Sequence, residues 1–243
     1  LVGAAVGVLA TGVGYLASAL FLLRIRTEEP RPRAPENPGL RREIAEGLRF
    51  VFGHPSLRAI VGCTATANFF GGIAMAVLVL FLVRGLGLSE GVVGLVLSSG
   101  GLGGVLGALT ANRWNVRFGR TTAIWLSALV TFPLGLLVPL GAADWRIGFL
   151  VLGEAAIGYG SVVYNITQVS YRQSICPDHL LGRMNASIRF VVWGALPLGG
   201  LVGGALGGGV GVGATLWVAM AGQSLSVLWV VLSPLRSRAA VDA

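Results

Sequence analysis

Between residues 147 and 169 an apolar run contains Glu154, Ser161, Asn165 and Gln168. At 100° per residue of an α-helix these four fall at about 0°, −20°, +20° and −40°, so they form one polar stripe on an otherwise apolar helix. With a rise of 1.5 Å per residue the stripe is roughly 21 Å long, much of the thickness of a hydrocarbon core. Polar groups facing lipid at that depth are costly, so the stripe predicts a wall turned towards a cavity or another helix. Two chemistries are available to it. A carboxyl group can take up and release a proton, and hydroxyl and amide groups can hydrogen-bond a solute.

Glu154 is the only carboxylate well inside an apolar run. Removal from water favours the neutral acid, which makes Glu154 a candidate for proton coupling. The structural alternative is a neutral acid hydrogen-bonded to a neighbouring helix, or one near enough to the surface to reach water. Thr64 and Asn68 make a smaller polar patch in the run at 57–83. Thr64, Asn68, Ser161, Asn165 and Gln168 are therefore candidates for lining a substrate cavity. Their alternative role is as interhelical hydrogen bonds, worth on average about 0.6 kcal/mol each. Arg189, a few residues into its own run, is expected to snorkel to the nearer surface.

No catalytic constellation emerges. His54 and His179 lie in polar breaks without a second ligand at metal spacing, and no serine or cysteine has an evident base. Cys63 and Cys176 form no framework spacing. The glycine-rich stretches that might suggest phosphate cradling fall inside apolar runs, where no strand-to-helix loop exists for them. Neither an enzyme, nor a cofactor, nor a bound metal is expected.

The elements that must position the stripe follow from composition. The chain has 243 residues, 54% hydrophobic and 12% charged, with 38 glycines, and a mean hydropathy of +0.79. A soluble domain of this size needs far more polar surface, so the composition predicts an integral membrane protein. Apolar runs at 1–23, 57–83, 91–112, 121–140, 147–169, 184–207 and 214–232 predict an all-α fold of seven transmembrane helices. A polar connection at 24–56 separates the first run from a six-helix bundle over 57–232, and a tail follows at 233–243.

The net charge of +8 carries no argument for a nucleic-acid partner, because all 18 basic residues are arginines placed mostly in the breaks between runs. Sixteen fall in breaks on one side and two, Arg84 and Arg146, on the other. By the positive-inside rule the rich side is cytoplasmic, which predicts a multi-pass protein of the cell (inner) membrane with Leu1 outside and Ala243 inside. The absence of lysine excludes a retinal Schiff base. An outside start and an odd number of helices predict the carboxyl-terminal part of a longer, twelve-helix chain.

In the connection, Leu40, Ile44, Ala45, Leu48, Val51 and Phe52 recur at helical spacing opposite Arg41, Arg42, Glu43, Glu46 and Arg49. This predicts an amphipathic helix over 40–53, lying either on the anionic leaflet or against the bundle's own inner face. Two membrane runs are crowded with glycine. Gly100, Gly104 and Gly107 in one, and Gly199, Gly203 and Gly207 in the other, give small-xxx-small spacings that let helices approach closely. Static packing within the bundle and sliding against a second domain both fit this spacing.

The break Asn112-Arg113-Trp114-Asn115-Val116-Arg117-Phe118-Gly119-Arg120 resembles the cytoplasmic loop motif of the major facilitator superfamily, which ends in Asp-Arg-x-Gly-Arg. Arg113 adds to the positive charge of this loop, and Arg117, Gly119 and Arg120 match the ending, whereas Val116 stands where the family has its aspartate. Further segments resemble the macrolide-efflux and siderophore-exporter branch, also called transmembrane secretion effectors. They are Glu43-Ile44-Ala45-Glu46-Gly47-Leu48-Arg49-Phe50, His54-Pro55-Ser56-Leu57-Arg58, Arg172-Gln173-Ser174-Ile175-Cys176-Pro177, Leu181-Gly182-Arg183 and the stretch from Arg189 through Trp193 to Gly199.

The resemblance implies a proton-driven exporter working by alternating access, here represented by the family's sixth to twelfth helices. It implies that the runs at 57–83 and 147–169 line the central cavity and that the glycine-rich runs form the interface between halves. The partners it implies are membrane lipid, the amino-terminal half of the same transporter, a hydrophobic or amphipathic small molecule, and protons. The competing expectation from the residues alone is a membrane scaffold whose glycine faces recruit partner helices.

Overall fold

The computed structural model describes residues 4–24 and 39–236, and these are helical, with no strand among them. Pro30, Pro32, Pro35 and Pro38 of the connection, and the tail beyond residue 236, lie outside the described residues. The chain divides into two compact units, Leu1–Gly39 and Leu40–Ala243.

In the first unit, α1 spans Ala4–Leu23. Twenty residues at 1.5 Å each give about 30 Å, the thickness of a hydrocarbon core. Thr11 donates its hydroxyl proton to the Gly7 carbonyl at 3.0 Å, so this polar side chain is satisfied inside its own helix.

The second unit begins with α2 (Leu40–Gly53) and continues through α3 (Pro55–Leu80), α4 (Glu90–Phe118), α5 (Arg120–Thr131) and α6 (Ile147–Ile175). It closes with α7 (Leu181–Gly209), α8 (Val212–Leu225) and α9 (Leu228–Val231). A wider turn over Phe81–Gly85 extends α3, and a tighter 3-10 segment over Phe132–Leu140 extends α5. Pro133 and Pro139 lie in that segment, where each removes a backbone donor from the ladder. Among the described residues seven spans are long and apolar enough to cross a membrane. The protein is a multi-pass membrane protein.

All seven expected spans are present, but several run further than the apolar stretches. The span at 91–112 becomes Glu90–Phe118, that at 147–169 becomes Ile147–Ile175, and that at 184–207 becomes Asp178–Gly209. Hydropathy falls where the arginines begin, yet arginine is a good helix former and its long stem can carry the charge to water. Helix therefore continues through most of the arginine-rich breaks.

The motif break illustrates this. Asn112 to Phe118 form the last turns of α4, and the chain reverses at Gly119, whose φ of +79° is open to glycine but strained for other residues. Its N–H bonds the Asn115 carbonyl at 3.0 Å. At the arginine-poor break before α6, Arg146 is paired with Asp144 at 3.0 Å. Hydrogen bonds from Arg146 hold the Asp144 carboxyl below the usual range.

α2 packs mainly on α7. Gly47 lies against Arg183 and Ser187, Val51 is buried beside Leu57 and Met184, and Glu43 and Glu46 both pair with Arg183. The helix thus joins the bundle, although Ile44 and Phe52 on its apolar face stay exposed. The face that packs is centred between Gly47 and Val51, about 40° from Ile44 and about 80° from Leu48.

The largest helix interfaces pair α4 with α6 and α3 with α7. Both depend on backbone meeting backbone. Gly103 and Gly107 face Ala155 and Tyr159, and Gly158 in turn faces the Gly100 carbonyl. On the other pair, Gly199 faces Phe69 and Gly203 faces Ile73. A β-carbon at Gly107 would come 2.6 Å from the Tyr159 carbonyl oxygen, and one at Gly203 would come 2.8 Å from Ile73 Cα.

Candidate functional site

α6, fixed by α4 on one side, presents the lower part of its polar stripe to a groove shared with α3 and α7. The groove has a volume of about 750 Å³. Thr64 and Asn68 come from α3, Ser161, Asn165 and Gln168 from α6, and Asn185, Arg189 and Trp193 from α7. All five residues expected to line a cavity are brought together there.

Several of their hydrogen bonds are made within the wall. Thr64 Oγ1 donates to the Ile60 carbonyl at 2.8 Å and lies 3.0 Å from the Tyr164 hydroxyl. Asn68 donates from Nδ2 to the Val192 carbonyl at 2.9 Å, tying α3 to α7 and leaving its amide oxygen available. Gln168 donates from Nε2 to Asn165 Oδ1 at 3.0 Å, which leaves the Asn165 amide donors available. The buried Gln168 Oε1 has no hydrogen-bond partner among the described residues. Thr64 and Asn68 therefore act partly as interhelical ties, while Asn165 and Gln168 keep polar atoms for another purpose.

Glu154 is placed differently. It shares the angular stripe but is not part of the groove wall. Its Oε2 lies 3.5 Å from the position a β-carbon on Gly100 would take, at the crossing of α4 and α6. The side chain is half-buried, and no hydrogen bond or ion pair reaches it among the described residues. The neighbour that the structural alternative would need to hold a neutral acid is not found among those residues.

Arg172, which sequence reasoning assigned to a polar break, lines the groove, as does Tyr164. The signal for Arg172 was present, since 161, 165, 168 and 172 continue one helical edge, but hydropathy ended the span at 169. Arg189, expected to snorkel to the nearer surface, is exposed and also lines the groove. Phe132 and Leu196 close the apolar end. No periodicity within a single helix could have brought Phe132, Arg189 and Leu196 together with the stripe, because they come from the 3-10 segment and α7.

Of the loop-motif residues, Arg113 and Arg117 lie on the last turns of α4, Gly119 forms the break, and Arg120 opens α5. The Arg117 guanidinium sits 5.7 Å from the Phe118 ring centre. Trp114 Nε1 and Thr110 Oγ1 both bond the Tyr159 hydroxyl, at 2.7 and 2.9 Å, and lock this end of α4 to α6.

The glycines of α4 and α7 divide between faces. Gly107, Gly199 and Gly203 are filled by helices of the same bundle, with Gly207 close to Val77 and Gly104 close to Val162. A β-carbon at Gly100 would make only ordinary contact with Glu154. By contrast Gly101, Gly200, Gly204 and Gly208 meet nothing within 4 Å. At the filled positions the packing alternative describes the structure.

The sequence pattern of one transporter family matches residues 1–191, most of the chain. The chain belongs to the Major Facilitator Superfamily. It is also similar to the multidrug efflux pump Tap of Mycolicibacterium fortuitum, 29% identical over 223 residues. That alignment covers 90% of this chain and 53% of the pump, so the chain spans about half the length of that curated relative.

Proposed function

We propose that this chain supplies one wall of a proton-coupled exporter of hydrophobic or amphipathic small molecules, working by alternating access. The groove between α3, α6 and α7 carries the proposal, because it sets amide, hydroxyl and guanidinium groups beside Phe132, Trp193 and Leu196 in a multi-pass membrane protein. Such a mixture of apolar wall and a few polar groups is what a small-molecule site needs.

In this reading the second wall comes from the preceding half of a twelve-helix protein, to which α1 belongs as its last helix. The two halves rock around the groove, and the open glycines Gly200 and Gly204 on α7 offer the second half a close approach. The arginine-rich ends of α4, α6 and α7 face the cytoplasmic side of the cell (inner) membrane, and the end of the groove that carries Arg172 and Arg189 lies towards that side. Glu154, unpaired at the crossing of α4 and α6, is the proton-coupling residue. Protonation there would remove a charge that is costly to keep among apolar surroundings, and release would restore it.

The test is transport by the intact protein containing this chain, reconstituted in vesicles with and without an imposed proton gradient. Gradient-dependent movement of an amphipathic dye that is lost in Glu154→Gln supports both assignments. Full gradient-driven activity in Glu154→Gln removes Glu154 from the coupling step. Absence of gradient-driven movement in the parent protein removes the exporter reading.

A further inference from the structure

The groove contains two cations and no acid. Arg172 from α6 and Arg189 from α7 both line it, and none of its lining residues is aspartate or glutamate. Neither arginine forms an ion pair among the described residues. The described acids are engaged or placed elsewhere: Glu43 and Glu46 with Arg183, Asp144 with Arg146, and Glu154 at the crossing of α4 and α6. Glu90 opens α4 and Asp178 precedes α7, and both are exposed.

Arg172 is the more telling of the two. Its side chain is only 9% exposed, and its Nε has no hydrogen-bond partner among the described residues. A guanidinium removed from water without a counter-charge is costly, whereas one facing a carboxylate, sulfonate or phosphate makes paired, charge-assisted hydrogen bonds. The neighbouring groups add donors to the same region, namely the Asn165 amide left available by Gln168, together with Asn185 and Gln173. Towards the other end, Phe132, Ile188, Trp193 and Leu196 give an apolar wall.

Building on the exporter reading above, we infer that the groove selects amphipathic organic anions, seating an acidic head group between Arg172 and Arg189 and an aromatic or aliphatic body against Phe132, Trp193 and Leu196. A quaternary ammonium of the same shape meets two like charges at the head-group end. Discrimination therefore comes from repulsion of the wrong ligand as much as from attraction of the right one.

The experiment uses the intact protein containing this chain in vesicles of zwitterionic lipid, with two naphthalene amphiphiles of matched size, one a sulfonate and one a trimethylammonium. Binding is read from tryptophan fluorescence, with Trp193→Phe identifying the signal of the groove, and export is read under an imposed proton gradient. The sulfonate is expected to bind and be exported in preference to the ammonium. Arg172→Gln with Arg189→Gln is expected to reduce sulfonate binding by about tenfold or more, as loss of charge-assisted bonds predicts. Arg172→Lys, which keeps the charge and folds around a similar stem, should retain the anion preference with weaker binding.

Equal or tighter binding of the ammonium, or an anion preference unchanged in the double glutamine variant, overturns the inference even if export is intact. Arginine-dependent sulfonate binding without gradient-driven export upholds the anion site and overturns the exporter reading. Anionic lipid added to the vesicles supplies the remaining arm. If it abolishes sulfonate binding, the groove holds a lipid phosphate and the inference for a solute fails.

Discussion

The position of the polar stripe depends on how closely α4 and α6 approach, and Gly107→Ala tests that dependence. A β-carbon at Gly107 would lie 2.6 Å from the Tyr159 carbonyl oxygen, 0.8 Å short of the 3.4 Å at which ordinary contact begins. The obstacle is backbone, which cannot rotate away as the tip of a side chain can. The helices must separate, and overpacking of this kind costs about 1–3 kcal/mol. Gly101→Ala on the same helix meets nothing within 4 Å, so the same added methyl there brings only its helix propensity, a gain of up to about 1 kcal/mol. The two substitutions share chemistry and differ in surroundings.

Thermal unfolding of the chain in detergent, followed by labelling of the buried Cys63 thiol, reads the difference, because Cys63 is fully buried in the folded bundle. At about 2–4 °C per kcal/mol for a chain of this size, Gly107→Ala should lower the midpoint by roughly 2–12 °C. Gly101→Ala should leave it unchanged or slightly raised. Gly203→Ala, which tests the α3–α7 interface, should behave like Gly107→Ala, and the pair should combine additively because they share no neighbours. Equal midpoints for Gly107→Ala and Gly101→Ala would refute the backbone-contact argument for α4 and α6.

Other substitutions give smaller or more local effects. Asn68→Ala removes the tie to the Val192 backbone carbonyl and should cost about 0.6 kcal/mol in the same melt, a value near zero showing that α3 and α7 are held by glycine packing alone. Arg183→Gln breaks the partly exposed pairs to Glu43 and Glu46, so bundle stability should fall by no more than about 1 kcal/mol, while proteolysis within α2 should become faster. Unchanged cleavage of α2 would mean that Gly47 and Val51 suffice to dock it. Gly119→Ala places a β-carbon at φ +79° and should destabilise by about 1–2 kcal/mol in the same thiol-labelling melt, with Gly119→Asn less affected.

The apolar runs by themselves determined that seven membrane spans exist and that one polar stripe runs along the fifth of them, α6. Burying hydrocarbon dictates length and periodicity, and both are local properties of the chain. Helix ends were less legible. Hydropathy changes at the first arginine, but backbone hydrogen bonding continues past it, which is why Arg172 was read as loop and stands on the groove wall. The glycine spacing showed that helices come close but not which ones. Only the packing separated Gly107, Gly199 and Gly203, which meet helices of the same chain, from Gly101, Gly200 and Gly204, which meet none.

The stripe itself was divided by the tertiary structure. Ser161, Asn165 and Gln168 face α3 and α7 across the groove, whereas Glu154, at nearly the same angle, lies half-buried beside Gly100 of α4. Angle around a helix is fixed by sequence position, but what stands opposite each turn depends on how two helices cross. That crossing is set by contacts between residues far apart in the chain, as the Gly100–Gly158 approach shows, and no local pattern contains it.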